Sequence, residues 1–146
     1  MSLRSDINKA IREESILGVS FVHMHKYQWV LERLAQENLK KGTQSLNKVW
    51  LWEEFNEPYE SFEYDDSISK LETVLSKSEE FWFVASDEGG KYWVLKGTGE
   101  GVVSLLKNMY FFEYYIINNE FDWLLCENHH GLVIAKGTII NELKYA

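Results

Sequence analysis

Two short apolar runs with a turn signal between them constrain the fold more than any other feature of the sequence. The runs are Phe81–Ala85 and Tyr92–Leu95, and Asp87-Glu88-Gly89-Gly90 lies between them. Apolar runs of this length on either side of an acidic, glycine-rich turn predict a β-hairpin. Because successive positions in each run are apolar, both faces of the two strands are expected to be covered, which favours a central place in a sheet.

The remainder of the C-terminal half continues this pattern. Between the hairpin and the next strand, the apolar positions from Val102 to Met109 predict a short helix capped by Thr98. A second hairpin is predicted around Glu127–Gly131, and residues 138–146 are expected to pack as one more edge piece of the sheet. Further strand candidates are Tyr110–Ile117, Trp123–Cys126 and Leu132–Lys136.

The N-terminal half contains three segments with helical spacing of apolar residues. The first is expected to be capped by Ser5 or Asp6 and to stop at Gly18. The second begins between Met24 and Lys26 and is expected to end at Lys40-Lys41-Gly42, where basic residues and glycine suit a helix terminus. The third is Ser67–Ser76.

These elements predict one α+β domain over residues 1–146. N-terminal helices are followed by a mainly antiparallel sheet of about four to six strands, with helices packed on one face. A chain of 146 residues, 45% of them hydrophobic, is long enough for a single domain with a sizeable core.

The charge and cysteine content exclude several classes of protein. The 15 basic and 23 acidic residues give a formal net charge of −8, which argues against a nucleic-acid partner because phosphate affinity comes mainly from Lys and Arg. The single cysteine forms no internal disulfide. Without an apolar span or a signal-peptide pattern, the chain is expected to be cytoplasmic and to have no membrane partner.

Nearly all of the net charge lies in one stretch, residues 50–90, with 12 acidic and 2 basic residues. Within it, Trp50–Asp66 contains six aromatic and seven acidic residues and no Lys or Arg. An ordinary amphipathic surface explains this composition, but so does an acidic, aromatic face for a basic protein, since aromatics anchor interfaces and charge speeds encounter. The candidate partner-binding residues are Trp52, Glu53, Glu54, Glu57, Tyr59, Glu60 and Glu63.

The densest group of metal-ligating or nucleophilic residue types is Cys126, Glu127, His129 and His130. A thiolate and two imidazoles are zinc ligands, and a thiol beside an imidazole is a nucleophile with its base. The set provides too few ligands for a structural zinc site, and an acidic neighbour after an apolar run favours an inert thiol. A polar hairpin turn with a buried cysteine therefore remains the alternative, and no metal or cofactor is predicted.

A glycine-rich segment, Gly97-Thr98-Gly99-Glu100-Gly101, follows a strand and precedes a helix. Backbone amides in such a segment can bind phosphate. Val102 occupies the position of the third glycine in the dinucleotide-binding pattern, and Glu100 places a negative charge where a pyrophosphate would lie. A strand-to-helix turn is therefore the favoured interpretation.

Several segments resemble a family of small uncharacterised bacterial proteins. The resemblance covers residues 50–137 and implies a cytosolic α+β domain, without an activity or catalytic residues to carry over. By size, acidity and architecture the chain also resembles small immunity proteins that neutralise toxins, including the broad Smi1/Knr4-like group. The segments that carry the family resemblance are Pro58–Ser61, Phe81–Val84, Tyr110–Ile117 and Phe121–His130.

Three functional hypotheses follow. The first is a non-enzymatic binding module, of immunity type, that occludes a basic partner protein through the acidic aromatic segment. The second is a small enzyme or a ligand- or metal-binding domain that uses the Cys126–His130 turn. The third is a homodimer, because 22 aromatic residues exceed what a core of this size needs and the excess would lie at a subunit interface.

Overall fold

In the computed structural model, residues 2–48, 50–87 and 90–145 are described. Within these described residues, five α-helices and seven β-strands are joined by short connections and two 3₁₀ helices, Gly42–Asn47 and Leu51–Glu54. The helices are α1 (Leu3–Glu13), α2 (Met24–Asn38), α3 (Ser67–Val74), α4 (Gly99–Lys107) and α5 (Ile139–Tyr145). The strands are β1 (Val19–Phe21), β2 (Glu60–Phe62), β3 (Glu80–Asp87), β4 (Lys91–Thr98), β5 (Tyr114–Asn118), β6 (Trp123–Glu127) and β7 (Val133–Gly137).

The strands form one antiparallel sheet in the order β1-β4-β3-β5-β6-β7-β2, which confirms the α+β class. Both predicted hairpins are present, β3–β4 with Phe83 opposite Leu95 and β6–β7 with Leu125 opposite Ala135. Turn residues Glu88 and Gly89 of the first hairpin lie outside the described residues. The sheet has more strands than the expected four to six because the short strands β1 and β2 add to its edges. Strand β1 has only three residues, too few to show a recognisable alternation.

Alternate residues of the central strands divide between two apolar layers. Phe81 and Phe83 face one side of the sheet, which α1, α3, α4 and α5 cover; we call it the four-helix face. Trp82 and Val84 face the other side, which α2 and the 3₁₀ helix Leu51–Glu54 cover; we call it the α2 face. The sheet is therefore buried on both sides, as the unbroken apolar runs predicted, and helices pack on the second face as well as on the first.

Helix α1 begins earlier than the sequence predicted. Its N-cap is Ser2, whose side chain accepts from the backbone amide of Ser5, so neither Ser5 nor Asp6 caps the helix. Leu3 is buried in the first turn, and its amide donates to a carboxylate oxygen of Asp87 at 3.2 Å. The first turn of α1 is thus fixed by contacts with a strand more than eighty residues away, which local spacing does not reveal.

Two other segments differ from expectation. The tail forms helix α5 rather than an edge strand, because Ile139 and Leu143 share one helical side and are buried against the four-helix face. Helix α2 ends at Asn38, before the predicted lysines and glycine, because Leu39 leaves the helix to bridge with Phe55. No described helix has the length and apolar character needed to cross a membrane.

Candidate functional site

The acidic segment runs around one edge of the sheet. Trp52 packs against the α2 face, whereas Phe62 and Tyr64 pack against the four-helix face. Strand β2, the edge strand, lies between these two ends, with Glu60 opposite Ala135 of β7. Phe62 lies in β2, and Trp52 lies in the 3₁₀ helix Leu51–Glu54. The seven acidic residues therefore do not share a single sheet face.

A buried carboxylate anchors the start of this segment. Glu113 precedes β5 and its side chain is 6% exposed. One of its oxygens accepts from Trp52 Nε1 at 3.0 Å, and the other accepts from the Tyr115 hydroxyl at 2.9 Å. The backbone amide and Nδ1 of His129 each lie 3.2 Å from the first oxygen. We call Trp52, Glu113, Tyr115 and His129 the Glu113 cluster.

The Glu113 cluster joins the two regions that the sequence analysis kept apart. The ring centroid of His129 lies 4.8 Å from that of Trp50 and 5.9 Å from that of Trp52. His130 lies 6.0 Å from Trp52, and the Tyr115 hydroxyl accepts from the Trp52 amide at 3.3 Å. The cluster therefore fixes the 3₁₀ helix Leu51–Glu54 against the β6–β7 turn.

Sequence reasoning missed Glu113 as a functional residue. It stands within Tyr110–Ile117, which was interpreted as a plain apolar strand. A single carboxylate inside an apolar run was the available signal, because a buried charge requires hydrogen-bond donors from elsewhere in the fold. Two of those donors, Trp52 and His129, lie 61 positions earlier and 16 positions later, so their identity was not readable locally.

Four of the candidate partner-binding residues are exposed, and their side chains have no polar partner among the described residues; Tyr59 retains 44% of its surface. These four are Glu53, Glu57, Tyr59 and Glu63. The remaining carboxylates are engaged within the chain. Glu54 accepts from the Ser45 hydroxyl at 3.2 Å, and Glu60 forms an ion pair with Lys144 at 3.0 Å. The candidate surface thus reduces to three unpaired carboxylates and one exposed tyrosine on the same segment of the described chain.

The Cys126–His130 group is divided between the two faces of the sheet. Cys126 is fully buried on the α2 face, and burial, with the nearby charge of Glu113, raises the pKa of its thiol well above the usual range. Glu127 points to the opposite face and accepts from the hydroxyls of Tyr114 at 2.7 Å and Ser67 at 2.8 Å. Among the described residues, no group of three or more His, Cys, Asp or Glu side chains is placed to hold a metal ion.

Cys126 should therefore be inert toward thiol reagents while the protein is folded. Only the deprotonated thiol reacts, and both burial and a raised pKa suppress it. We expect labelling by 5,5′-dithiobis(2-nitrobenzoate) at pH 8 to be at least about 1,000-fold slower than in 6 M guanidinium, where the thiol is exposed. A labelling rate in the native protein within tenfold of the rate in guanidinium would show that the β6–β7 turn opens readily. Cys126 would then have to be considered a reactive thiol.

The glycine-rich segment is a strand-to-helix junction, as favoured from the sequence. Thr98 caps α4 by accepting from the amide of Gly101 at 3.0 Å. The amides of Gly99 and Glu100 donate to the backbone carbonyls of Glu79 and Lys77, at 3.0 and 3.2 Å. The donors that would bind a phosphate are thus used to fix α4 to the segment before β3.

The comparisons with known proteins place the chain in a family. Neither the curated proteins nor the solved structures provide a match. A family model, in contrast, matches residues 1–145, so the similarity extends beyond residues 50–137 and includes α1 and α2. The chain therefore belongs to the family of unknown function DUF6756.

Proposed function

We propose that the protein is a non-enzymatic binding module whose acidic edge segment docks onto a basic protein. The observation that carries the proposal is the exposure of Glu53, Glu57 and Glu63 on the segment that also exposes Tyr59, with no cation of the described chain paired to any of the three carboxylates. Unpaired surface carboxylates raise the rate of encounter with a positively charged partner, and an exposed tyrosine provides an anchor.

The segment is also held in place before any partner arrives. Its start is fixed by the bond from Trp52 to buried Glu113, and its end by the pairing of β2 with β7. A segment that is already ordered loses little conformational entropy on binding, so more of the contact energy appears as affinity. Rigid presentation thus supports a docking role for this edge.

The chemistry of the neighbouring groups favours binding over catalysis. Glu113 accepts hydrogen bonds on both oxygens, Glu127 likewise, and Cys126 is fully buried. Groups committed in this way hold the fold and are poor nucleophiles or bases. We therefore infer stoichiometric occlusion of the partner, the mode of action of an immunity-type protein.

The test is capture from the source organism's lysate with a zero-length carbodiimide, which joins a carboxylate to a lysine amine. We expect one basic protein, cross-linked at Glu53, Glu57 or Glu63, in a one-to-one complex. Reversing these three residues to lysine should lower its association rate by about tenfold at low salt, and the difference should shrink as salt rises.

A matched variant reverses Glu13, Glu14 and Glu37, which are exposed on α1, after α1 and on α2. Both triple variants change the formal net charge from −8 to −2, so only the position of the charge differs. Equal loss of binding in the two variants would show that the overall charge of the protein, and not the position of the reversed residues, determines binding. Cross-links found only between two copies of this chain would replace the proposal with the homodimer.

A further inference from the structure

A second candidate site lies near the other edge of the sheet, where α2 begins. A groove of about 480 Å³ opens on the α2 face between the N-terminus of α2 and the strands β1, β4 and β3. In contrast to the acidic segment, this groove is lined by cations and imidazoles. The described polar and aromatic residues that line it are Ser20, Phe21, His23, His25, Lys26, Trp82 and Lys96, and Glu80 is the one carboxylate among the described lining residues.

The floor of the groove is a row of residues that lie opposite one another on adjacent strands. Ser20 of β1 is opposite Lys96 of β4, and Lys96 is opposite Trp82 of β3. Directly opposed residues in an antiparallel sheet place their side chains on the same face, at about 5 Å. A hydroxyl, an ammonium and an indole therefore line one side of the groove together.

The wall of the groove is the first turn of α2, a helix of 15 residues. The side chain of its N-cap residue, His23, makes no hydrogen bond to the first-turn amides, although the His23 carbonyl accepts from the Lys26 amide at 2.8 Å, and that turn contains no acidic residue. A helix start of this kind keeps its positive end uncompensated. The rings of His23 and His25 stack at 5.4 Å, and Lys26 follows them into the same groove.

Trp82, which lines the groove, contributes a buried donor that the described chain leaves without a partner. Its side chain is buried, with 7% of the residue exposed, and its Nε1 donor has no partner among the described residues. The Lys96 ammonium lies 3.6 Å from the centre of the Trp82 ring and donates to Asn119. Burial and the like charge of Lys26 lower the pKa of Lys96, while Glu80 and Glu120 oppose this shift. Lys26 and Lys96 are thus close enough to interact, with Glu80 the stronger influence on Lys96, and an anion in the groove would be attracted to both lysines.

We propose that this groove binds an oxyanion of the phosphate-monoester class. Lys26 and Lys96 supply charge-assisted hydrogen bonds, and the α2 amides and imidazoles supply further donors to a tetrahedral group with several oxygens. The exposed carboxylate of Glu80 is outnumbered by these donors. The aromatic floor favours an organic phosphate over the free ion. This site is separate from the acidic edge, so either proposal can fail without the other.

The experiment is a titration with inorganic phosphate followed by ¹H–¹⁵N correlation spectra, with sodium chloride at equal ionic strength as the reference. We expect saturable shifts in the amides of His25 and Lys26 and in the indole N–H of Trp82, which Trp82→Phe identifies by its loss. A second titration, with adenosine 5′-monophosphate, measures how much the organic part of the ligand adds to the affinity. Tighter binding of the nucleotide would assign an organic phosphate, and equal binding would assign the phosphate group alone.

The double variant Lys26→Gln/Lys96→Gln should weaken phosphate binding by about tenfold or more, because each lysine supplies a charge-assisted contact. The matched control is Lys40→Gln/Lys41→Gln, which removes the same charge from exposed positions beyond the other end of α2 and should leave affinity within twofold. If the double variant folds poorly, Lys26→Gln alone, which changes an exposed side chain, takes its place in the binding measurement. Shifts that chloride reproduces, or that both double variants reduce equally, would overturn the proposal.

Discussion

Replacing Glu113 with alanine should lower the free energy of unfolding by about 3 kcal/mol, the largest effect expected from any single change near the acidic segment. The change leaves Trp52 Nε1 and the buried Tyr115 hydroxyl without their acceptor. An unsatisfied buried donor costs roughly 1–3 kcal/mol. Both donors lie on the α2 face, so the 3₁₀ helix Leu51–Glu54 should also loosen.

The measurement is urea denaturation at pH 7, followed by tryptophan fluorescence and by far-ultraviolet circular dichroism. Glu113→Gln retains one acceptor oxygen, so its free energy of unfolding should lie between those of the wild type and Glu113→Ala. Glu53→Ala, at an exposed position without a partner among the described residues, should change stability by less than about 0.5 kcal/mol. A Glu113→Ala protein as stable as Glu53→Ala would mean that the Glu113 cluster does not hold the segment.

Gly99→Ala should destabilise the fold by about 3 kcal/mol through a different mechanism. A Cβ at this position would lie 2.1 Å from the backbone carbonyl oxygen of Ser76, and a backbone atom cannot rotate away as a flexible side chain can. The junction must therefore shift, and the amide bonds of Gly99 and Glu100 to the preceding segment would be strained with it. Overpacking of this kind typically costs 1–3 kcal/mol and occasionally more.

A control separates this steric effect from the loss of glycine itself. Gly131 has a φ of +77° but open space where a Cβ would stand. Gly131→Ala should lower the free energy of unfolding by only about 1 kcal/mol, because an L-residue is less stable than glycine in the left-handed region. Thermal or urea unfolding measures the stability of Gly99→Ala and of Gly131→Ala and shows which change is the more destabilising. If Gly99→Ala is the milder change, the close approach of α4 to Ser76 is not the reason for glycine at this position.

The parts of the fold that the sequence predicted well are those governed by contacts close in the chain. The β3–β4 hairpin follows from two apolar runs and the turn between them, and the cap of α4 follows from Thr98 three residues before Gly101. The third helix was recognised because Asp66 and the spacing of Ile68 and Leu71 are local signals. Turn chemistry and helical periodicity act over a few residues, so they can be recognised from the sequence alone.

The parts that were missed depend on distant partners. Leu3 begins α1 because it is buried in the core and its amide meets Asp87, and residues 139–145 are helical because Ile139 and Leu143 find the four-helix face. The edge strand β1 exists because its three residues pair with β4. Ile139 and Leu143 do have helical spacing, but the contacts of Leu3 and of β1 leave no pattern in their own segments, since tertiary burial decides the conformation that short segments adopt.

The candidate site was predicted in pieces and assembled only by the fold. The sequence identified the acidic aromatic segment and the Cys126–His130 turn as separate alternatives. The structure brings Trp52 and His129 onto one buried carboxylate, Glu113, and sends Cys126 and Glu127 to opposite faces of the sheet. Alternation along β6 causes this separation, because neighbouring residues of a strand point to opposite sides.

By itself, the sequence determined the α+β class, the two hairpins, the concentration of negative charge in residues 50–90 and the absence of an internal disulfide. These follow from composition and from interactions within a few residues. Only the tertiary structure decided that the acidic residues wrap a sheet edge, that Glu113 is their anchor, and that Lys26 and Lys96 share a groove with Trp82. Each of these juxtapositions joins residues more than ten positions apart, and it is burial and strand pairing that bring them together.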